Sequence, residues 1–208
     1  MSQEFEIKHL FPSTYEEALE LQLELVDKRI RDEIPDTLLL TEHEPVFTVG
    51  RRSTPESLPT TDEIPLVPVT RGGDITYHGP GQIVGYWIRK LEGRDRDLHA
   101  HLRNIEDLVI RVAHHFEIDA GRLLGLTGVW VGEAKIASIG VAVRNWVTFH
   151  GFALNIDVDP SIYREFRPCG LDGSIMSDLT RNSAKSIEID DVLPVVENAF
   201  RKHYECLK

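Results

Sequence analysis

The apolar positions change period along the chain, and each change marks an element. Tyr15, Leu19, Leu23, Val26 and Ile30 recur every three or four residues, the spacing of one helix face. Ser13 and Glu16 stand in capping-box relation just before that run, which predicts a helix capped at Ser13. The bounded β-branched and apolar runs DTLLLTEH (36–43) and PVFTVG (45–50) then predict two short strands. Residues 53–65, STPESLPTTDEIP, carry three prolines and no periodicity, and predict a surface loop rather than a linker.

Strand patterns resume at LVPVT (66–70), DITYH (74–78) and QIVGYWI (82–88). A second helix is predicted over 98–116 from the stripe Leu98, Leu102, Ile105, Val109, Val112 and Phe116. GVWVG (128–132), KIASIGVAV (135–143) and TFHGFALNI (148–156) read as further strands. A last helix follows Asp190, with Val192, Val195, Val196, Ala199 and Phe200 inward. Helix, strands, helix, strands, helix is not a βαβ alternation. It predicts an α+β fold, a mixed, mainly antiparallel sheet flanked by helices. At 208 residues, one domain spanning 1–208 is expected.

Composition narrows the function more than the fold. With 41% hydrophobic and 27% charged residues the chain reads as an ordinary globular protein. No long apolar run predicts a membrane span. The N-terminus, MSQEFEIKHLFPS, lacks a basic region followed by an apolar stretch, so no secretory signal and a cytoplasmic location are expected. A net charge of -11 argues against a nucleic-acid surface. Cys169 and Cys206 are the only cysteines and are expected to be free thiols. His99 and His101, or His114 and His115, sit two and one apart on the second helix and do not share a face as metal ligands would, so no metal is expected.

Four segments offer chemistry. In RGGDITYHGPGQ (71–82), glycines flank Tyr77 and His78. The segment reads either as a punctuated hairpin or as a strand across which a ligand lies, approached through the glycines. Neither GxxxxGK[ST] nor GxGxxG occurs in the chain, so a nucleotide loop has no support. Lys135 stands at the head of a strand of small side chains, Ala137, Ser138, Gly140 and Ala142. It reads as a solvated hairpin lysine paired with Glu133, or as the edge of a groove. His150 precedes Gly151 in a similar strand, where a histidine is more often structural than catalytic. Cys169, in RPCGLDG, sits in loop-like surroundings downstream of Arg164 and Arg167, where positive charge would favour a thiolate. Cys206, on the last helix, is expected to pack.

RGGDITYHGPGQ, GVWVGEAKIASIGVAVRNWVTFHGFALNI and PCGLDG, in that order, together resemble the lipoyl(octanoyl) transferases. EHEPVFTVGRR fits more loosely, with Glu44 where many relatives would carry proline. The resemblance implies a fold similar to the catalytic domains of biotin protein ligase and lipoate ligase, with no metal or cofactor. It implies transfer of an octanoyl group from acyl carrier protein to a lysine of lipoate-dependent domains: the lipoyl domains of 2-oxoacid dehydrogenases and the glycine cleavage H protein. A monomer with no nucleic-acid or membrane partner is expected.

By the same resemblance, Cys169 is the nucleophile and Lys135 its partner. Substrate-binding positions fall on Arg71, Gly72, Gly73, Asp74, Ile75, Thr76, Tyr77 and His78, on Ser138, Ile139 and Gly140, and on His150, Gly151, Phe152 and Ala153. A thiol of pKa ~8.5 is only a few per cent thiolate at pH 7. An ammonium about 4 Å away, worth ~4 kcal/mol at an effective dielectric of ~20, would supply the missing stabilisation. Oxyanion donors are expected near Gly72–Gly73 or Cys169–Gly170. A groove of Ala137, Gly140 and Ala153 would hold the acyl chain, and His78 or His150 would share the proton traffic. Arg51, Arg52, Arg164 and Arg167 are candidates for docking an acidic carrier. The rivals are an ATP-dependent ligase of the same fold and a binding module that only holds acylated carrier protein.

Overall fold

The computed structural model describes residues 5–167 and 172–207. Its elements run β1 (Phe5–Ser13), α1 (Tyr15–Ile30), β2 (Asp36–His43), β3 (Val46–Val49), β4 (Leu66–Pro68), β5 (Thr76–His78) and β6 (Gln82–Lys90). There follow α2 (Leu98–His115), β7 (Gly121–Leu123), β8 (Leu126–Val131), β9 (Ala134–Arg144), β10 (Val147–Asn155) and α3 (Ile189–Glu205). The main sheet has seven strands in the order β1-β2-β6-β10-β9-β8-β7, and a small sheet has the order β4-β3-β5. In the main sheet only β1 and β2 are parallel. The α+β expectation stands. Among the described residues no helix is long and apolar enough to cross a membrane.

Several local expectations shift. The cap of α1 is Thr14, whose hydroxyl accepts from the Glu17 N–H at 3.2 Å while Glu17 accepts from the Thr14 N–H at 2.9 Å. Ser13 instead ends β1, its hydroxyl buried against Thr41 at 2.7 Å. The helix therefore starts one residue later, and its buried face is Tyr15, Ala18, Gln22, Leu25 and Val26. Leu23 is 36% exposed and Leu19 half-buried. Cys206, expected to pack, is exposed at the end of α3. Nor do β5 and β6 form a hairpin. β5 pairs with β3 in the small sheet and β6 joins the large one, so the Gly79–Gly81 turn carries the chain from one sheet to the other.

The two faces of the main sheet follow the alternation of its strands. Leu38, Leu40, Ile83, Trp87 and Leu154 face α2 and α3 and join Ile105, Leu108, Val109, Val196 and Phe200 in the larger core. Leu39, Val84, Tyr86, Ile88 and Ala153 face the other way, toward Ala18, Leu25 and Val26 of α1. Beyond the first turn of α1 this second face carries a cavity, bordered by the small sheet and the loop that follows β4.

Candidate active site

A β-bulge places the lysine. Val129 of β8 pairs with Ala137 and Trp130 with Lys135, so Ile136 is an extra residue in β9. A strand's side chains alternate, and one inserted residue reverses the faces beyond it. Ile136 and Ala137 both enter the larger core, while Lys135 shares the cavity with Ser138 and Gly140. The solvated-hairpin reading of Lys135 fails: the side chain is 4% exposed, its ammonium 5.6 Å from the centre of the Trp130 ring. Glu133 lies out in solvent. Gly128 makes the space, because a Cβ there would stand 2.7 Å from Lys135 Cε. Ala137 drops out of the expected acyl groove for the same reason that Lys135 enters the cavity.

The cavity, of about 380 Å³, is walled by the segments singled out in the sequence. Arg71, Gly72, Gly73, Asp74, Thr76 and His78 line it from one side. Lys135, Ser138, Ile139, Gly140, His150, Gly151, Phe152 and Ala153 line it from β9 and β10. Ile75 and Tyr77 point the other way, into a small core with Phe47, Tyr163 and Phe166, because β5 also alternates. Cys169 lies outside the described residues. Seven residues on, Met176 makes a parallel bridge to Lys135, and the Ser177 N–H donates to the Lys135 carbonyl at 2.9 Å.

Arg71 organises the glycine loop from within. Nearly buried, it donates to Thr48 O and Oγ1, both at 2.8 Å, and to Asp74 O at 2.6 Å. The loop closes on β9 through Gly72 N–H to Val141 O, 3.0 Å, so that amide is committed and cannot serve as the expected oxyanion donor. Gly140 permits this approach; a Cβ there would meet Gly72 O at 2.9 Å.

Sequence reasoning missed the aromatic and polar floor. Tyr15, Val84, Tyr86 and Trp130 also line the cavity. Tyr15 stacks on His78 with centroids 6.2 Å apart. His43 Nδ1 lies 3.2 Å from Ser13 O, a carbonyl that can only accept. Nδ1 therefore carries the proton, and Nε2 accepts from the Tyr86 hydroxyl at 2.7 Å. The same logic protonates His78 on Nδ1, which donates to Gln82 Oε1 at 2.8 Å. Gln82 passes on to Asn155 Oδ1, 2.8 Å, and Asn155 to Ser177 O, 2.8 Å. The floor is thus tied to the segment that pairs with Lys135. A polar residue every second position from Gln82 is absent, so the pattern of β6 held no signal for this chain of contacts; DTLLLTEH did hold one, in the histidine that ends the polar stretch after its three leucines.

Burial keeps these histidines neutral. It pulls His43 down to about 4 and His150 to about 3, and drives His78 well below its usual range, with the nearby Arg71 charge adding to the effect. His150 adopts a left-handed backbone, φ 58°, and its N–H leaves the ladder to donate to Gln22 Oε1 of α1 at 2.9 Å. Neither His78 nor His150 is suited to hold a proton at neutral pH, contrary to the expected shared role. Burial also raises Tyr15 to about 12 and Tyr86 well above its usual range. Lys135 and Arg71 are the cationic side chains buried at this cavity.

The comparisons with known proteins agree with this architecture. The family described as lipoyl protein ligase A/B catalytic domain matches residues 14–201. An octanoyltransferase of Pelobacter propionicus is 42% identical over 187 residues, 90% of this chain and 89% of that one. One of Syntrophotalea carbinolica is 44% identical, covering 90% and 88%. Among solved structures, lipoate-protein ligase A bound with ATP superposes with a TM-score of 0.77 at 17% identity, over 98% of this chain and 86% of that one. The biotin protein ligase of Aquifex aeolicus gives 0.54 at 10% identity, over 98% and 70%. At those identities the structures speak for the fold alone.

Proposed function

The chain belongs to the lipoyl protein ligase A/B catalytic domain family, and from that premise we propose that it is an octanoyltransferase of protein lipoylation. Its donor is octanoyl-acyl carrier protein and its acceptors are lysines of lipoyl domains and of the glycine cleavage H protein, in the cytoplasm. The observation that carries the reading is the buried Lys135, turned by a bulge into a cavity beside the segment that follows Cys169.

In the first half-reaction the Cys169 thiolate attacks the donor's thioester carbonyl. The carbon–sulfur bond to the carrier breaks, Lys135 gives its proton to the departing thiolate, and an octanoyl thioester remains on Cys169. One thioester replaces another, so no ATP is required. In the second, the neutral Lys135 takes a proton from the acceptor's ammonium, of which only about one in a few thousand is neutral at pH 7. The freed amine attacks the acyl-enzyme, its nitrogen loses a second proton to solvent as the amide forms and the carbon–sulfur bond to Cys169 breaks, and the Cys169 thiolate and Lys135 ammonium are regenerated. The neutral histidines of the floor leave this proton traffic to the lysine. Val84, Gly140, Gly151 and Ala153 offer the acyl chain a wall with little bulk. Burying about six methylenes there would contribute ~5 kcal/mol.

Mass spectrometry after incubation with octanoyl carrier protein tests the reading. We expect one octanoyl mass on Cys169, discharged by a lipoyl domain, and none on Cys169→Ser. An unmodified Cys169 during full turnover would remove the covalent route. Transfer that consumes ATP would place the chain with the ligases whose fold it shares.

A further inference from the structure

A second cavity lies against the first, and its chemistry is different. It measures about 550 Å³ and sits between the turns Pro160–Arg164 and Gly173–Ile175, with Arg164, Arg167 and Arg181 around it. In a chain of net charge -11, three guanidinium groups at one recess oppose the general trend. Arg181 is held in place by Val158 O at 2.7 Å and by Asp178 at 2.8 Å. Arg164 and Arg167 are exposed and form no salt bridge with the described residues. Among the described residues the one carboxylate in the lining, Asp172, accepts from the Ser174 N–H at 2.8 Å. The inner wall is apolar, made by Phe166 and Met176 with the ring of Tyr163.

Met176 joins the two cavities. Its backbone bridges to Lys135 and its side chain belongs to the arginine recess. A gap of about 10 Å³ has Thr76 and Ser138 of the lysine cavity on one side and Tyr163, Phe166 and Met176 on the other, so the two spaces share a thin wall. A ligand that engages both needs an anionic end, an apolar stretch against Phe166 and Met176, and an acyl thioester at the far end. Planar guanidinium forks suit a phosphate in particular, which accepts two parallel hydrogen bonds from each.

We infer that the recess of Arg164 and Arg167 receives the phosphate of the donor's pantetheine arm, while the thioester end reaches Lys135 in the adjoining cavity. The inference rests on the octanoyl-transfer reading above and adds to it where the donor is gripped. It assigns the carrier's contribution to the arm itself rather than to acidic side chains of the carrier.

Calorimetric titration with 4′-phosphopantetheine and with pantetheine, on the full chain, tests it without any turnover. Phosphopantetheine should bind about tenfold or more tightly than pantetheine. Arg164→Ala/Arg167→Ala should erase that preference and leave pantetheine binding as it was, and Arg164→Lys/Arg167→Lys should keep part of it. Both positions are exposed, and matching far-ultraviolet spectra would confirm that the variants fold. Equal affinity for the two ligands, no binding of either, or a preference that survives the alanine variant would overturn the inference. Octanoyl transfer by the wild type is assayed separately. A phosphate preference without transfer would sink the reading of the reaction and leave the phosphate site standing.

Discussion

The two faces of the main sheet are built from alternate residues of the same strands and are put to different uses. Toward α2 and α3 the side chains interdigitate in one continuous core, with Trp87, Leu108 and Phe200 at most 1% exposed. Toward α1 the packing stops at the first helical turn. From there the sheet is met by an arginine-bound glycine loop, a floor of tyrosine and histidine, and a lysine turned in by a bulge. The first face is where burial stabilises the fold. The second gives up some packing to hold polar groups in a confined space, which is where reactivity can be tuned.

The contrast can be broken most strongly at the lysine. Lys135→Met should lower octanoyl transfer by about two to four orders of magnitude, with the thermal midpoint unchanged or raised, because a buried cation is replaced by an apolar side chain. A steady-state assay beside a melting curve separates the two effects. The opposite pattern is expected across the sheet. Leu108→Ala should cost about 2–5 kcal/mol by urea unfolding and leave transfer per folded molecule unaltered.

A smaller effect involves histidines on both faces. His150 in the cavity lining, His43 beneath it against Tyr86, and His101 against Trp87 in the larger core are all pushed by burial to about 4 or about 3. The folded protein stays unprotonated at these rings while an unfolded chain takes up protons below about 6.5. Stability therefore falls as pH drops from 6.5 toward 4, by up to about 2 kcal/mol per histidine at pH 5. His101→Phe should flatten that slope in urea midpoints taken at pH 7 and 5, with transfer at pH 7 untouched. If it alters transfer, the two faces are not separable in the way their packing implies.

Much of this was legible in the order of residues. The stripes of α2 and α3 predicted their inner faces because burial on one side of a helix leaves a 3.6-residue record. The strands from 36 to 156 were visible for the analogous reason, except β7, whose three residues Gly121–Leu123 are too few to show an alternation. β1 was not: Phe5, Ile7 and Phe11 are only partly buried at a sheet edge, and half-exposed positions write a faint pattern. The helix cap was misplaced by one residue because Ser13–Glu16 and Thr14–Glu17 are equally good boxes on paper. Only the strand that precedes the helix chooses between them.

At the cavity the division is sharper. The chain's order of residues determined which segments carry glycine, small side chains, lysine and histidine, and hence which stretches were worth bringing together. Tertiary structure decided how they face one another. Whether Lys135 points to solvent or inward depends on one extra residue in the pairing of β8 with β9. Whether His78 is a base or a neutral hydrogen-bond donor depends on Gln82, Tyr15 and Arg71, brought to it from three other elements. Register and burial are properties of contacts between distant segments, and no local pattern encodes a contact whose partner lies elsewhere in the chain.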